Sequence, residues 1–295
     1  MVHGHLFHFL DELELQEKFA SVSENIIDVK EHTDPALLHE YNTVLPWVSL
    51  SGQQGRYFAK SAFEKADQNF SWGLEIKDQL TLVWKPKTRS ILYVKQKNYS
   101  PKKLRFWIFH TFFPMAMELN QTYHFLHIGA VKLQGRTFFF SAPSFGGKST
   151  LTDYCIQQGA TLISDDALAI DKKGEKYYAI PAYPYHRPYR EPETLGYPVE
   201  KFAKNAQSID VVLLLQKASP DAKVIIEEVK GIEKFKAFHQ SIFIEFPFRK
   251  QERFAFFGKL AQSVPVYTIT IPWDLKRLDE VYQAIAGLTN PKNNR

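Results

Sequence analysis

The chain has 295 residues with 44% hydrophobic and 15% aromatic side chains, enough material for a sizeable core in one large domain or in two. Its net charge is +5, and the 37 Lys and Arg residues are scattered along the chain. Such a balance suits an anionic ligand such as a nucleotide and argues against a nucleic-acid partner. The single cysteine, Cys155, excludes an internal disulfide and a multi-cysteine metal site.

The start of the chain carries no basic targeting region, and no apolar run anywhere reaches the length of about eighteen residues that a membrane helix needs. We therefore expect a soluble, cytoplasmic protein with no membrane partner. His3, His5 and His8 could suggest a metal cluster. No fourth ligand lies nearby and chain ends are usually mobile, so we do not expect metal there.

The first third of the chain has the pattern of a small β-rich subdomain, residues 1–100. Apolar residues alternate with period two between residues 56 and 94, and polar turns separate three strand candidates, 72–76, 80–84 and 90–94. This pattern predicts an antiparallel meander. A helix should follow over 101–120, beginning at Pro101 and kinked or divided at Pro114. We interpret it as a connecting helix ahead of a catalytic domain, 121–295.

The stretch from Ala142 to Thr150, here called the glycine loop, joins an apolar strand over 137–141 to a helix over 149–158. This is the layout of a phosphate-binding (Walker A) loop, in which backbone N–H groups and the helix N-terminus face a polyphosphate. Lys148 would reach the β- and γ-phosphates, and the Ser149 hydroxyl would hold Mg²⁺. The residues predicted to bind the nucleotide are Ser144, Phe145, Gly146, Gly147, Lys148, Ser149 and Thr150.

Two features of the glycine loop depart from the usual motif. Ala142 occupies the position of its first glycine, and Pro143 removes one N–H from the cradle. The alternative interpretation is a glycine-rich turn that opens an ordinary helix.

Two adjacent carboxylates, Asp165 and Asp166, follow the next predicted strand, 161–164. A strand–helix–strand unit with a right-handed crossover brings the carboxyl ends of both strands to one edge of the sheet, where ligands bind. Both aspartates should therefore lie close to what Lys148 and Ser149 hold. One carboxylate would organise Mg²⁺ and the other would take a proton from an acceptor hydroxyl. The alternative is an Asp-Asp turn that caps the next element.

His127, the glycine loop and the segment 163–166 together resemble the catalytic domain of HPr kinase/phosphorylase. They resemble still more closely the HPr-kinase-like serine kinases associated with modified-peptide gene clusters. The resemblance covers roughly residues 120–287 and implies an α/β P-loop fold akin to phosphoenolpyruvate carboxykinase. It implies that His127 lies in the active site, that Asp165 acts as acid/base, and that Asp166 supports the metal or the acceptor. Without it, His127, like His124, would be interpreted as a core histidine.

The resemblance has limits. The Glu-x-Arg-Gly-x-Gly segment that the phosphorylase activity needs has no counterpart after Asp166, so neither that activity nor HPr as substrate is expected. Phe145 stands where a small residue is common. HPr kinases are commonly hexameric, so the resemblance allows a homo-oligomer, which the added N-terminal region could alter.

The proline-rich stretch 181–192 contains two arginines, Arg187 and Arg190, that could neutralise phosphate charge at a transfer site. Tyr183, Tyr185 or Tyr189 could pack on a base or a substrate. The alternative is a surface loop with solvated arginines. Beyond it, the pattern predicts strands over 210–215, 224–229 and 264–271, a helical region from 231 to about 262 broken near Pro247, and a closing helix over 275–288.

These observations predict a two-part α/β protein whose larger part is an ATP- and Mg²⁺-dependent kinase. The acceptor would be a hydroxyl group, most simply serine in a peptide or protein, or a small molecule. Two other functions stay open, a P-loop NTPase and a nucleotide-binding regulatory protein that transfers no phosphate.

Overall fold

The computed structural model describes residues 1–15, 25–34, 40–188, 191–243 and 250–289. It is a mixed α/β structure that divides into two compact units. The first unit comprises the described residues within 1–123 together with 191–195, and the second comprises those within 124–188, 196–243 and 250–289. Within these ranges, no helix combines the length and the apolar character needed to cross a membrane.

The first unit is built on an eight-stranded sheet. Its strands are β1 (Leu6–Phe9), β2 (Ile26–Glu31), β3 (Thr43–Val44), β4 (Val48–Leu50), β5 (Gln53–Ala59), β6 (Trp72–Ile76), β7 (Leu80–Lys85) and β8 (Ser90–Lys95). They lie in the order β1-β2-β8-β7-β6-β5-β3, with β4 also paired to β5. Strands β6 to β8 form the predicted antiparallel meander. The parallel pairs β1–β2 and β2–β8 were not predicted.

The helical segment of the first unit is divided into two α-helices by a π-helical turn, as predicted from Pro114. Helix α1 (Pro101–Trp107) begins at Ser100, whose hydroxyl accepts the Lys103 N–H, and a π-helical turn (Ile108–Phe112) leads into α2 (Phe113–Leu119). Proline near the start of α2 has no N–H to continue the α-helical ladder, so the hydrogen-bond pattern changes there. The segment packs on the sheet through Phe112, whose ring centroid lies 4.5 Å from that of Trp72.

The second unit contains a six-stranded sheet in the order β12-β10-β11-β18-β20-β19. Its strands are β10 (Gly129–Leu133), β11 (Arg136–Ser141), β12 (Thr161–Ser164), β18 (Val211–Ala218), β19 (Ile226–Glu228) and β20 (Val266–Pro272). Its helices are α3 (Lys148–Gln157), α4 (Ile232–Gln240), α5 (Lys250–Ser263) and α6 (Leu278–Gly287). Short 3-10 helices are Leu13–Leu15, Phe63–Lys65, Pro86–Thr88 and Leu275–Arg277.

Apolar side chains cover both faces of this sheet. Along β11, Phe138 and Phe140 belong to a core shared with residues of α3 and α6, whereas Phe139 belongs to a second core shared with residues of α4 and α5. All three rings are fully buried. Strands buried on both faces read as continuous apolar runs, which is why β11 and β18 are visible in the sequence.

A four-stranded sheet of the same unit has the order β17-β14-β13-β9. Its strands are β9 (His124–His127), β13 (Ala167–Lys173), β14 (Lys176–Ile180) and β17 (Gln207–Ser208), and a further pair is β15 (Tyr185–His186) with β16 (Tyr197–Pro198). The alternating pattern of residues 123–131 predicts a single strand, but these residues form two strands in different sheets, β9 and β10, separated at Ile128. Gly129, the first residue of β10, allows this strand to lie close to α3, since a Cβ on Gly129 would lie 2.6 Å from the Thr152 hydroxyl oxygen.

The direction of the strands places the site. Both β11 and β12 are antiparallel to β10, which lies between them, so they run the same way. Strands β18 and β20 run parallel to β11. The carboxyl ends of β11, β12, β18 and β20 therefore meet at one edge of the sheet. The glycine loop follows β11 at that edge, and Asp165 follows β12.

Candidate functional site

The glycine loop has the backbone shape of an anion site. Phe145 (φ 62°) and Gly147 (φ 88°) lie in the left-handed region, while Gly146 between them does not. Alternation of this kind turns successive N–H groups toward a common point, and such a concavity binds anions. Helix α3 begins at Lys148, so the N–H groups of its first turn and the positive end of its dipole face the same region.

Glycine at position 146 is required by space. An ideal Cβ there would lie 2.6 Å from the Ala142 Cβ and 2.9 Å from the Pro143 carbonyl oxygen, which accepts the Gly146 N–H at 3.0 Å. The loop therefore closes on itself with room for one methyl group. This explains how alanine is accommodated at the first position of the motif: its methyl group occupies the space that Gly146 leaves open.

Lys148 lies across the loop and is 4% exposed. Its ammonium donates to the Ala142 carbonyl oxygen at 2.6 Å and lies 3.4 Å from that of Pro143. Ser149 is half-buried and Thr150 exposed. Phe145 lies at the tip of the loop, and its side chain is 82% exposed. Its left-handed backbone conformation costs a non-glycine residue about 1–2 kcal/mol.

Asp166 meets His127 because of strand register. Ala167, the first residue of β13, pairs with His127, the last residue of β9, so Asp166 stands beside the histidine. The His127 Nδ1 and an Asp166 carboxylate oxygen are 2.9 Å apart. The other Asp166 oxygen lies 3.8 Å from a guanidinium nitrogen of Arg187. The Asp166 side chain is 19% exposed, so a ligand at the sheet edge can reach it.

Asp165 is held more deeply, with a side chain 7% exposed. One carboxylate oxygen accepts the Arg187 backbone N–H at 2.8 Å. The other lies 2.8 Å from Nδ1 of His186. Asp165 therefore fastens the 186–187 segment to the end of β12.

His186 connects this corner to the helix of the glycine loop. Its side chain is fully buried, and its Nε2 lies 3.7 Å from a carboxylate oxygen of Asp153 on α3. The Tyr197 hydroxyl donates a hydrogen bond to the same Asp153 oxygen, and the Tyr197 ring packs edge-on against His186. The sequence analysis missed His186. The available signal was its place directly before Arg187 in a segment already singled out for its arginines.

The position of His186 depends on Gly196. His186 pairs with Tyr197 in the short β15–β16 ladder, and the chain turns at Gly196 with φ 87°. A Cβ on Gly196 would lie 1.9 Å from the His186 carbonyl oxygen and 2.7 Å from the Arg187 Cα. These are backbone atoms, which cannot move aside as the end of a flexible side chain can. Gly196 is thus needed for the approach of the 186–187 segment.

Tyr183 is buried near the two aspartates. Burial raises the pKa of its hydroxyl, and the charges of Asp166 and Asp165 raise it further, so the phenol keeps its proton. Its burial leaves no open ring face for a base or a substrate, unlike the half-buried Tyr185. The predicted substrate residue Arg190 and the tyrosine at 189 lie outside the described residues.

His124 packs against an aromatic side chain, since its ring lies 4.1 Å from that of Phe256.

No group of three or more His, Cys, Asp or Glu side chains suited to a metal occurs among the residues that the structure describes. Mg²⁺ needs fewer protein ligands, because it keeps waters and binds phosphate oxygens. The partly accessible oxygens of Ser149 and Asp166 have the chemistry it prefers.

Among known proteins, a distant similarity is found to a solved structure. No protein-family model matches the chain, and no curated protein matches it. Among solved structures, the HPr(Ser) kinase/phosphatase from Coxiella burnetii is similar over 56% of this chain and 90% of its own, with a TM-score of 0.36 and 12% sequence identity. A likeness at that TM-score carries no argument about activity.

Proposed function

We propose that this protein is an ATP- and Mg²⁺-dependent kinase that transfers the γ-phosphate to a hydroxyl group of a peptide, a protein or a small molecule. One observation carries the proposal. An anion-binding loop after β11 and two carboxylates after β12 lie at the same edge of the sheet, and His127 and Arg187 adjoin the more exposed carboxylate. Assignment of the second unit to the HPr-kinase-like P-loop type belongs to the same proposal.

The glycine loop would bind the phosphates. Its N–H groups and the start of α3 stabilise negative charge, and Lys148 exchanges the carbonyls of Ala142 and Pro143 for phosphate oxygens. The Ser149 hydroxyl would contact Mg²⁺, which neutralises the phosphate oxygens and orients them. Phosphoryl transfer depends on positioning and charge more than on covalent chemistry, so this inventory is adequate.

Asp166 is the carboxylate that we assign to the acceptor proton. It is accessible, and His127 at 2.9 Å fixes its orientation, whereas both oxygens of Asp165 already face His186 and Arg187. In this proposal Asp165 is a positioning residue. The roles implied by the sequence resemblance, acid/base for Asp165 and support for Asp166, are thereby exchanged. Arg187, 3.8 Å from Asp166, would spread the charge of the transferring group.

The test of this proposal is a transfer assay. The protein is incubated with Mg²⁺, γ-labelled ATP, and fractionated peptides and metabolites from its own cells. Asp166→Asn serves as the inactive variant and Asp221→Asn as the matched control, because Asp221 is an exposed aspartate in a turn of the same unit. Label should move to a discrete product with the wild type and the control, and not with Asp166→Asn.

Each other outcome counts against the proposal in a different way. Label released as inorganic phosphate in every acceptor fraction would favour an NTPase. Label that stays in ATP, with binding retained in calorimetry, would favour a nucleotide-binding regulatory protein. Equal transfer by the wild type and Asp166→Asn would leave the kinase and remove Asp166 from its proposed role.

A further inference from the structure

A cavity of about 280 Å³ opens beside the glycine loop. Its lining includes the loop residue Gly147, Thr150 in the first turn of α3, Leu215 of β18, and Trp273 and Leu275 just after β20. Whole small-molecule sites measure about 300–1,000 Å³, so this volume fits a flat ring system better than a complete nucleotide. All these residues belong to the second unit.

The position of the cavity follows from the strand order. Asp166 comes after β12, on one side of β11, and the segment 273–275 comes after β20, on the other side. Two strand spacings, about 10 Å, separate β11 from each of these strands. A triphosphate held by the loop with its γ-phosphate toward Asp166 therefore directs its other end toward the cavity.

Trp273 and Leu275 expose apolar surface at this place. Trp273 is 41% and Leu275 73% exposed, although both are large apolar residues. The Trp273 ring adjoins the loop, since a Cβ on Gly147 would lie 3.4 Å from it. The Lys217 ammonium lies 4.0 Å from the ring centroid and adds positive charge at the same rim. Adjacent exposed apolar groups beside an anion site indicate a ligand with a flat apolar part and a charged part.

The lining offers little to distinguish one base from another. Among the described residues that form it, the side chains that carry hydrogen-bonding atoms are those of Thr150 and Asp274 and, at the edge of its ring, the indole N–H of Trp273. The Asp274 carboxylate already accepts the Lys276 N–H at 3.0 Å and caps the short helix that follows. Selection between bases requires hydrogen bonds to their edges, whereas stacking and burial act on any aromatic ring.

We infer that this cavity holds the base of the nucleotide against Trp273, and that it accepts adenine and guanine about equally. The inference rests on the proposed function and adds the base site and its low selectivity. Trp273 is then a binding residue that contributes to nucleotide affinity without touching the phosphates.

Calorimetry with separated parts of the nucleotide tests the inference. The ligands are ATP, GTP and tripolyphosphate, each with Mg²⁺, and adenosine as a competitor of ATP. Trp273→Ala should weaken ATP and GTP by about tenfold or more and abolish competition by adenosine, while leaving tripolyphosphate within about twofold. Trp273→Phe keeps an aromatic face and should restore most of the ATP affinity. Trp47→Ala, at a tryptophan 39% exposed in the first unit, is the matched control and should change nothing.

The outcomes separate this inference from the proposed function. If Trp273→Ala binds both ATP and tripolyphosphate as tightly as the wild type does, the proposed base site is wrong and the proposed phosphate site stands. If neither ligand binds the wild type, the proposed function fails and the base site fails with it. ATP preferred over GTP by more than about a hundredfold would overturn the low selectivity, because such ratios need hydrogen bonds to the base.

Discussion

The glycine loop and the corner around Asp165 and Asp166 follow two strands of one sheet, yet they are built differently. The loop is almost entirely backbone and local, since its left-handed residues, its tight closure at Gly146 and its lysine contacts all lie within residues 142–148. The aspartate corner is built from side chains that are far apart in the chain. It joins His127, the two aspartates and the 186–187 segment.

This difference shows how the two halves of the site can be separated by mutation. A substitution in the glycine loop alters the local backbone or the buried Lys148 ammonium, and should affect the affinity for the nucleotide. A change in the corner alters a charge network held by distant segments, and should affect the chemical step while nucleotide binding persists. Sites more than about 7–10 Å apart without shared partners usually behave additively, so the two classes of variant can be read independently.

The largest effect should come from Asp166→Asn. Loss of a positioned general base typically lowers kcat about 10²–10⁴-fold, and the asparagine keeps the shape of the side chain. ATP affinity should stay within about twofold of the wild type, because the proposed phosphate contacts are made by the glycine loop. Steady-state transfer rates and calorimetry with ATP check both expectations.

The Mg²⁺ dependence of Asp166→Asn decides between two uses of this carboxylate. As the proton acceptor, it leaves the Mg²⁺ concentration needed for half-maximal rate unchanged. As a metal ligand, the role also predicted for it from the sequence, its loss raises that concentration and excess Mg²⁺ recovers the rate. Recovery by Mg²⁺ would contradict the assignment made here.

Lys148→Met should have the next largest effect, on the other half of the site. It removes an ammonium that would contact the β- and γ-phosphates, and charge-assisted contacts of this kind contribute several kcal/mol to binding or transfer. We expect ATP affinity and kcat/KM to fall about a hundredfold or more. Lys230→Met, which removes a largely exposed ammonium of the same unit, is the control and should cost far less. Unchanged ATP affinity in Lys148→Met would remove the glycine loop from nucleotide binding.

The contrast between local and distant construction also explains what the sequence could predict. Local sequence patterns predict several elements that the structure contains. These are the glycine loop with the adjacent aspartates, the strands β11, β12 and β18, and the helix divided near Pro114. Predictions that needed pairing between distant segments were less complete. The strand over 123–131 was not divided between two sheets, because no local pattern reveals that β9 pairs with β13 and β10 with β11.

The partners of the two aspartates were beyond local reasoning for the same reason. Their adjacency in sequence suggests shared work, yet one lies beneath His186 and the other beside His127. His186 itself looks like an ordinary residue of a proline-rich loop. Its importance arises from a short ladder with Tyr197 and from the turn at Gly196, which are tertiary features. Charge, composition and spacing do not encode them.

Gly196→Ala should disturb the aspartate corner without touching its charges. The added methyl group would lie 1.9 Å from the His186 carbonyl oxygen, so the 186–187 segment, whose Arg187 N–H donates to Asp165, must move. We expect a loss of about 1–3 kcal/mol in the free energy of unfolding and a roughly tenfold fall in kcat, with ATP affinity retained. Chemical denaturation, transfer assays and calorimetry measure the three quantities.

Gly174→Ala is the matched control for Gly196→Ala. Gly174 also has a positive φ, 60°, but a Cβ there would meet nothing within 4 Å. Its substitution therefore measures the backbone strain alone, about 1 kcal/mol. Equal losses of kcat in both variants would show that the contact with His186 is unimportant and that the corner tolerates movement.

The smallest expected effect concerns Cys155, a fully buried residue of α3, and the stability of the folded chain at alkaline pH. Burial raises the pKa of its thiol from 9.0 to about 12. The folded protein therefore holds the proton more tightly than the unfolded chain, and this contribution is complete below pH 9 and is lost as pH rises through about 12. The free energy of unfolding of the wild type should fall relative to that of Cys155→Ala over this range. Denaturation of both proteins at pH 7, 9 and 11 measures the difference, which cancels the common contribution of the buried tyrosines. A constant difference across the three pH values would mean that the thiol is accessible to solvent and that the core beneath the glycine loop is looser than described.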